Sequence, residues 1–330
     1  MILILQGQAS QREVIQGIKG ALGDAVTVYA SHPHHRPEIT GQADVAFREP
    51  ISSNERVEWA LNTAIENGIK LVHAGRKADL YEQRRADFEE AGIDLVTGAL
   101  SMDTFSLENK SWFVEQCNEA GLSCVPAVTV DDYESLGRAV LSELNRGTAC
   151  VKQETGIFGQ GFWRLERDID PFKALAHPDD RVINADSFLS MYAASPTRAR
   201  LLVMPFLAGD ETSVDVVCES GNPVAWVGRR KCGLYQVFER TGEAIDLALD
   251  AVRHFKCDGL VNVQTINDDN GLPHLLEINL RYSGGLSYTP HSGVNLPGIF
   301  AARRLGLPEP DSSWRDGVMF KPTTSALMLD

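Results

Sequence analysis

The chain has 330 residues, 43% hydrophobic and 23% charged, the composition of a soluble globular protein with room for about two domains. Its 31 Lys and Arg stand against 45 Asp and Glu, and a net charge of −14 opposes binding to a nucleic-acid backbone. No apolar run nears the roughly 20 residues that span a bilayer, and the six cysteines are scattered without a C-x-x-C pair, which argues against zinc and disulfide frameworks. A cytoplasmic protein is expected, with no membrane and no nucleic-acid partner. Met1–Leu5 is too short for the apolar segment of a signal peptide and reads as a buried first strand.

From the N-terminus, Ile2–Leu5, Ala25–Tyr29, Ile69–His73 and Ile93–Val96 are candidate strands, with helical stretches at 10–22, 54–67 and 78–91. Strands that alternate with helices imply a parallel sheet. Gly7-Gln8-Ala9 after the first strand is not G-x-G-x-x-G, so a dinucleotide site is not expected there. Two helices follow, Ser106–Ala120 and one capped at Asp131-Asp132, around an extended Val125–Val130. From Ala149 onward strand-like runs succeed one another: Ala149–Gln153, Phe162–Leu165, Leu201–Phe206, Thr212–Glu219, Pro223–Gly228, Gly259–Asn267 and Pro273–Leu280. Hairpin-linked strands make an antiparallel sheet, with helices at 184–194 and 241–255 packed on it. The boundary between a parallel α/β domain and the α+β remainder falls near 98–105.

Three segments carry chemistry. Asn270-Gly271 reads as a type I′ hairpin turn. Centred there, Gln264 faces Glu277 and Asn262 faces Asn279, so Asn262, Gln264, Glu277 and Asn279 share one sheet face. Oxygen-only donors of this kind suit a hard cation such as Mg²⁺; the competing description is a solvated polar face. Arg281 continues the alternation and would bring a cationic fork to an anion. Second, Lys152 ends a strand and is followed by Gly156, Gly159 and Gly161, whose backbone N–H groups can approach phosphate oxygens. It is not a P-loop, because no Lys-Ser/Thr and no helix follow. Third, Leu201–Asp215 links two strands and could offer backbone groups to a purine and Glu211 to a ribose.

In this order Asn109-Lys110, Gly121–Pro126, Lys152 with its glycines, Gly209-x-Glu211-x-Ser213-x-Asp215 and Glu277-x-Asn279-x-Arg281 resemble the ATP-grasp superfamily of ligases, in its carbamoyl phosphate synthetase and biotin carboxylase branch. The resemblance covers residues 1–305, with its motifs between 109 and 285. It implies an N-terminal parallel-sheet (pre-ATP-grasp) α/β domain over 1–100 and an ATP-grasp domain over 101–330. The latter would hold a small lid subdomain at about 125–205 and a C-terminal subdomain at about 206–330. ATP and Mg²⁺ are the implied cofactors. Lys110 and Lys152 would contact the phosphates under the Gly156–Gly161 loop. Backbone at Pro205 and Leu207 would meet adenine, and Glu211 the ribose. Gln264, Glu277 and Asn279 would hold Mg²⁺, and Arg281 would stabilise the phosphoryl group in flight. Met204 and Leu280 depart from the family pattern without removing a required charge.

The implied reaction is ATP-dependent, ADP-forming joining of a carboxylic acid to an amine through an acyl phosphate. Candidate acceptor residues are Arg229, Arg230 and Lys231, following the Pro223–Gly228 strand, and the Ser283-Gly284-Gly285 run. His32, His34 and His35 sit in a Pro-rich loop after the second strand; a solvated loop is favoured there over a metal site. The alternatives are a small-molecule kinase of the same fold and a nucleotide-binding regulatory protein without turnover. The identities of acid and amine, the role of residues 306–330 and the oligomeric state stay open, with a homodimer the common arrangement in such families.

Overall fold

The computed structural model describes residues 1–7, 10–154 and 161–323. Five parallel strands open the chain: β1 (Ile2–Ile4), β2 (Val28–His32), β3 (Val45–Arg48), β4 (Leu71–His73) and β5 (Asp94–Val96), in the order β3-β2-β1-β4-β5. Alternation along the first strand divides it between two cores. Ile2 and Ile4 pack with Val14, Ile15 and Ile18 of the helix Gln11–Leu22. Leu3 and Leu5 pack with Val57, Ala60, Leu61 and Ala64 of the helix Ser53–Glu66. A strand buried on both faces needs this continuous apolar run.

The next sheet joins β6 (Val128–Val130), β7 (Ala149–Gln153), β8 (Trp163–Glu166), β9 (Val182–Asn184) and β10 (Leu201–Pro205), in the order β6-β10-β7-β8-β9. Its pairs are antiparallel except β8 with β9. Ala149, Val151, Leu201 and Val203 point to the face that packs with Leu136 and Val140 of the helix Tyr133–Leu144 and Tyr192 of the helix Ala185–Ala194. Period two therefore turns Lys152 to the opposite face, beside its cross-strand partner Leu202.

The last sheet holds β11 (Glu211–Glu219), β12 (Asn222–Cys232), β13 (Tyr235–Glu239), β14 (Gly259–Asn267), β15 (Pro273–Asn279) and β16 (Met319–Phe320), in the order β15-β14-β11-β12-β13-β16. Val217, Val227, Phe238 and Leu260 join the core of Ile2 and Ile4, together with Leu296 and Phe300 from the helix Leu296–Arg304. The chain divides into two compact units, one of residues 1–105, 210–265 and 278–330, the other of 106–209 and 266–277. Among the described residues no helix is long and apolar enough to cross a membrane.

The parallel and antiparallel sheets match expectation, while several boundaries do not. The second strand runs Val28–His32, so His32 ends a strand and is buried, while His34 and His35 are exposed. The 78–91 stretch splits into Ala78–Glu82 and Arg85–Glu90. Strands β3, β9, β13 and β16 were not expected. The strand expected to stop at Gly228 continues to Cys232 and takes in Arg229, Arg230 and Lys231. Gly228 is there for close approach, not for a turn: a Cβ would lie 2.7 Å from the Glu239 carbonyl and 2.8 Å from Ile245. Lys321, left unplaced by sequence, sits with its Nζ 5.9 Å from the Tyr235 ring.

Candidate functional site

In the unit of residues 106–209 and 266–277, two lysines and a carboxylate come together. Asn109 caps the helix Lys110–Glu119, its Oδ1 accepting from the Trp112 N–H at 3.0 Å. That cap sets Lys110 in the first turn, where the residue is buried. Its Nζ donates to the Glu154 carbonyl at 3.3 Å. Lys152 Nζ donates to Glu277 Oε2 at 3.1 Å. Burial, followed by the nearby Lys152 charge, lowers the Lys110 pKa to about 8, against the raising influence of Glu277, Glu108 and Glu154. A paired ammonium cluster beside one carboxylate is suited to a polyanion that brings its own divalent cation. Pro205 ends β10, and Pro205 and Leu207 are half-buried in this unit.

In the other unit, one face of β11 and β12 grades from core to solvent. Pairing sets Asp215 against Val227 and Ser213 against Arg229. Glu211, Ser213, Asp215 and Val217 share that face by alternation. Val217 lies in the apolar core. Next comes a buried polar network: Arg229 Nε donates to Asp215 Oδ2 at 2.8 Å, and its Nη groups donate to Gln236, Ser213 and Ser283 at 2.9–3.1 Å. Asp215 Oδ1 accepts from Ser283 Oγ at 2.7 Å and from Asn262 Nδ2 at 2.9 Å. At the half-exposed end Lys231 Nζ meets Glu211 Oε1 at 2.6 Å.

The sequence candidates thus fall into different surroundings. Arg229 is buried within that network, so the acceptor candidate is a guanidinium with four of its five N–H donors directed at protein oxygens. Arg230 pairs with Glu239 at 2.6 Å and Asp210 at 3.0 Å on the other face. Ser283 Oγ also accepts from the Gly285 N–H at 3.1 Å, and Gly284 is exposed. Asn262 is fully buried, its Nδ2 donating to Ser213 and Asp215 while its Oδ1 has no hydrogen-bond partner, whereas Gln264 and Asn279 are half-buried. Arg281 is half-buried in a bend beyond the end of β15. Gly156 and Gly159 lie outside the described residues; Gly161 has φ +71°.

The hairpin turn also differs. Asp268 N–H donates to the Leu272 carbonyl at 2.9 Å and Gly271 N–H to the Asp268 carbonyl at 3.0 Å. Gly271 has φ +81°, while Asn270 is not among the residues with positive φ. The Asp268 carboxylate decides this, accepting from the N–H groups of Asn270 and Leu272 at 2.9 Å each. The connection is three residues with a glycine bulge, so the facing of Gln264 and Glu277 no longer follows from a two-residue turn.

By chemistry alone, the carboxylate of Glu277 and the amide oxygens of Gln264 and Asn279 are donor types that a hard cation takes. Among the described residues no group of three or more His, Cys, Asp or Glu is placed to hold a metal. Glu154 and Ser111 were missed by sequence reasoning. Their available signals were the Asn109 cap, which starts a helix at Lys110, and the two-residue spacing of Glu154 from Lys152.

Residues 197–326 match the family described as ATP-grasp in the biosynthetic pathway with Ter operon. No curated protein matches the chain in sequence. Among solved structures it is similar to N5-carboxyaminoimidazole ribonucleotide synthetase from Thermotoga maritima, at 16% identity and TM-score 0.64, over 95% of this chain and 77% of that one. It is similar to the biotin carboxylase domain of Hydrogenobacter thermophilus 2-oxoglutarate carboxylase in complex with MgADP and bicarbonate, at 17% and 0.67, over 96% and 73%. An L-amino acid ligase from Bacillus licheniformis matches at 13% and 0.64, over 93% and 74%. The family match is confined to residues 197–326, and the likeness to these structures shows the fold: an N-terminal parallel-sheet domain followed by a mixed and an antiparallel sheet, arranged as in N5-carboxyaminoimidazole ribonucleotide synthetase.

Proposed function

We propose that the protein is an ATP-dependent carboxylate–amine ligase that forms ADP. A substrate carboxylate oxygen attacks the γ-phosphorus, the bond to ADP breaks, and an acyl phosphate results. The amine nitrogen then attacks the acyl carbon, the C–O bond to phosphate breaks, and the nitrogen loses a proton as the amide forms. Lys110 and Lys152 bind the phosphates, with the Gly156–Gly161 segment over them. Pro205 and Leu207 backbone meets adenine, and Glu211 meets the ribose hydroxyls. Gln264, Glu277 and Asn279 would hold Mg²⁺, which when bound would supply charge neutralisation, and Arg281 stabilises the phosphoryl group in flight. Ser283 and Gly284 border the acceptor, and Arg229 acts through Ser283.

The observation that carries this is the Lys152–Glu277 pair beside Lys110: two lysine cations and a carboxylate within one unit, groups whose chemistry suits phosphate and a hard cation. The likeness to a ligase of amino acids and to carboxylase domains that bind MgADP supports it.

The test begins with thermal unfolding. MgATP should raise the midpoint, because a ligand confined to the native state adds roughly 2.7 kcal/mol at a hundred times its Kd, and Lys152→Ala should erase most of that rise. Phosphate release is then screened over carboxylic acids and amines in pairs. Turnover that needs both partners and yields an amide supports the ligase. A phosphorylated product with one partner would make it a kinase, and stabilisation by NADH but not by MgATP would sink the nucleotide assignment.

A further inference from the structure

Glu154 stands directly after β7 and acts twice at one place. Its main-chain carbonyl accepts from both the backbone N–H and the Nζ of Lys110, each at 3.3 Å. Its carboxylate accepts from Ser111 Oγ at 2.5 Å and lies 3.6 Å from Arg200 Nη1. Ser111 Oγ is in turn 2.8 Å from Thr129 Oγ1. The side chain is only 12% exposed. One residue therefore grips two consecutive positions in the first turn of the helix Lys110–Glu119. That is the end of a helix at which a negative charge is stabilised by unpaired N–H groups.

We propose that Glu154 is a positioning residue for nucleotide binding, fixing the first helical turn that carries Lys110 and supplying a negative charge that stabilises its ammonium. The proposal rests on the reading that Lys110 meets ATP phosphates. A glutamine here would keep the hydrogen bond from Ser111 and lose only the charge. An alanine at Ser111 would lose the tether and keep the charge.

The charged groups that face Lys110 are Lys152, which opposes its protonation, and Glu277, Glu108 and Glu154, which favour it. With burial the largest influence, Lys110 titrates at about 8, within reach of mildly alkaline buffers. Removing the Glu154 charge lowers that pKa further. Phosphate binding that depends on the ammonium then fails at a lower pH.

ADP affinity is measured by calorimetry at fixed magnesium from neutral to clearly alkaline pH, for the wild type, Glu154→Gln, Ser111→Ala and Lys110→Gln. The wild type should lose affinity through about pH 8, and Lys110→Gln should abolish that step. Glu154→Gln should keep its neutral-pH affinity and move the step to lower pH. Ser111→Ala should weaken binding without moving the step. A folded Glu154→Gln protein whose step coincides with that of the wild type would overturn the proposal. A wild type that binds no ADP at any pH would instead overturn the nucleotide site on which it rests.

Discussion

Lys152 Nζ lies 3.1 Å from Glu277 Oε2, although the two residues are 125 positions apart in the chain. Both side chains are partly exposed, so the pair itself adds little to stability. Its consequence is for binding. A lysine shared with a carboxylate grips a phosphate less tightly, and a carboxylate shared with a lysine grips a cation less tightly. A phosphate that draws Lys152 away leaves Glu277 available to the cation, so each ligand should favour the other, and equally in both directions.

Glu277→Gln separates these effects. The amide keeps the shape but loses the charge that holds Lys152, so at a pH well below the Lys110 pKa, where that ammonium stays protonated, ADP without magnesium should bind at least as tightly as it does to the wild type. Magnesium should then add little to ADP affinity. Its half-maximal concentration in turnover should rise, and the maximal rate should drop by roughly two orders of magnitude or more, the scale of lost electrostatic stabilisation. Calorimetry with and without magnesium checks the first pair of outcomes. An unchanged magnesium dependence would return Glu277 to an ordinary polar sheet face.

The buried network around Asp215 makes a separate prediction. Asp215 is fully buried and compensates the nearly buried Arg229 guanidinium. Asp215→Asn leaves that cation without its counter-ion and should cost about 3–5 kcal/mol in urea unfolding. Adding Arg229→Met should recover much of the loss, because an apolar replacement removes the stranded charge. The double variant should still turn over poorly, since Ser283 loses its Arg229 donor and faces a neutral amide in place of the Asp215 carboxylate. If the single substitution costs under about 1 kcal/mol, the network does not hold this end of the sheet.

Alternation was legible wherever a strand has one or two buried faces. Ile2–Leu5 read as a buried strand because every residue is apolar, and Lys152 could be placed at a strand end. What the sequence does not carry is who covers a face. Asn262 and Gln264 are equivalent by period, yet Asn262 is covered and its Nδ2 is engaged by Asp215 and Ser213. Arg229 and Arg230 read as one basic turn, because Gly228 looks like a stop until Ile245 is seen to press against it. The Asn270-Gly271 signal was overridden locally by the Asp268 side chain two residues upstream. Glu154 reads as a loop acid beside glycines, and its partners lie more than 40 positions away, at Lys110, Ser111 and Arg200.

Acid stability should report on His73. It ends β4, is 2% exposed, and its ring sits 5.4 Å from those of Tyr282 and Phe300. Burial, with a smaller contribution from the Arg304 charge, lowers its pKa to about 4. An unfolded histidine titrates near 6.5, so between these values the unfolded chain takes up a proton that the folded chain refuses. Stability from this group is full above about pH 6.5 and falls as pH drops to about 4, by on the order of 3 kcal/mol. His73→Phe keeps an aromatic ring beside Tyr282 and cannot protonate. Urea midpoints measured at steps across that window should fall less steeply for the variant than for the wild type. Parallel acid profiles for the two proteins would mean that His73 is not the group whose protonation the fold resists.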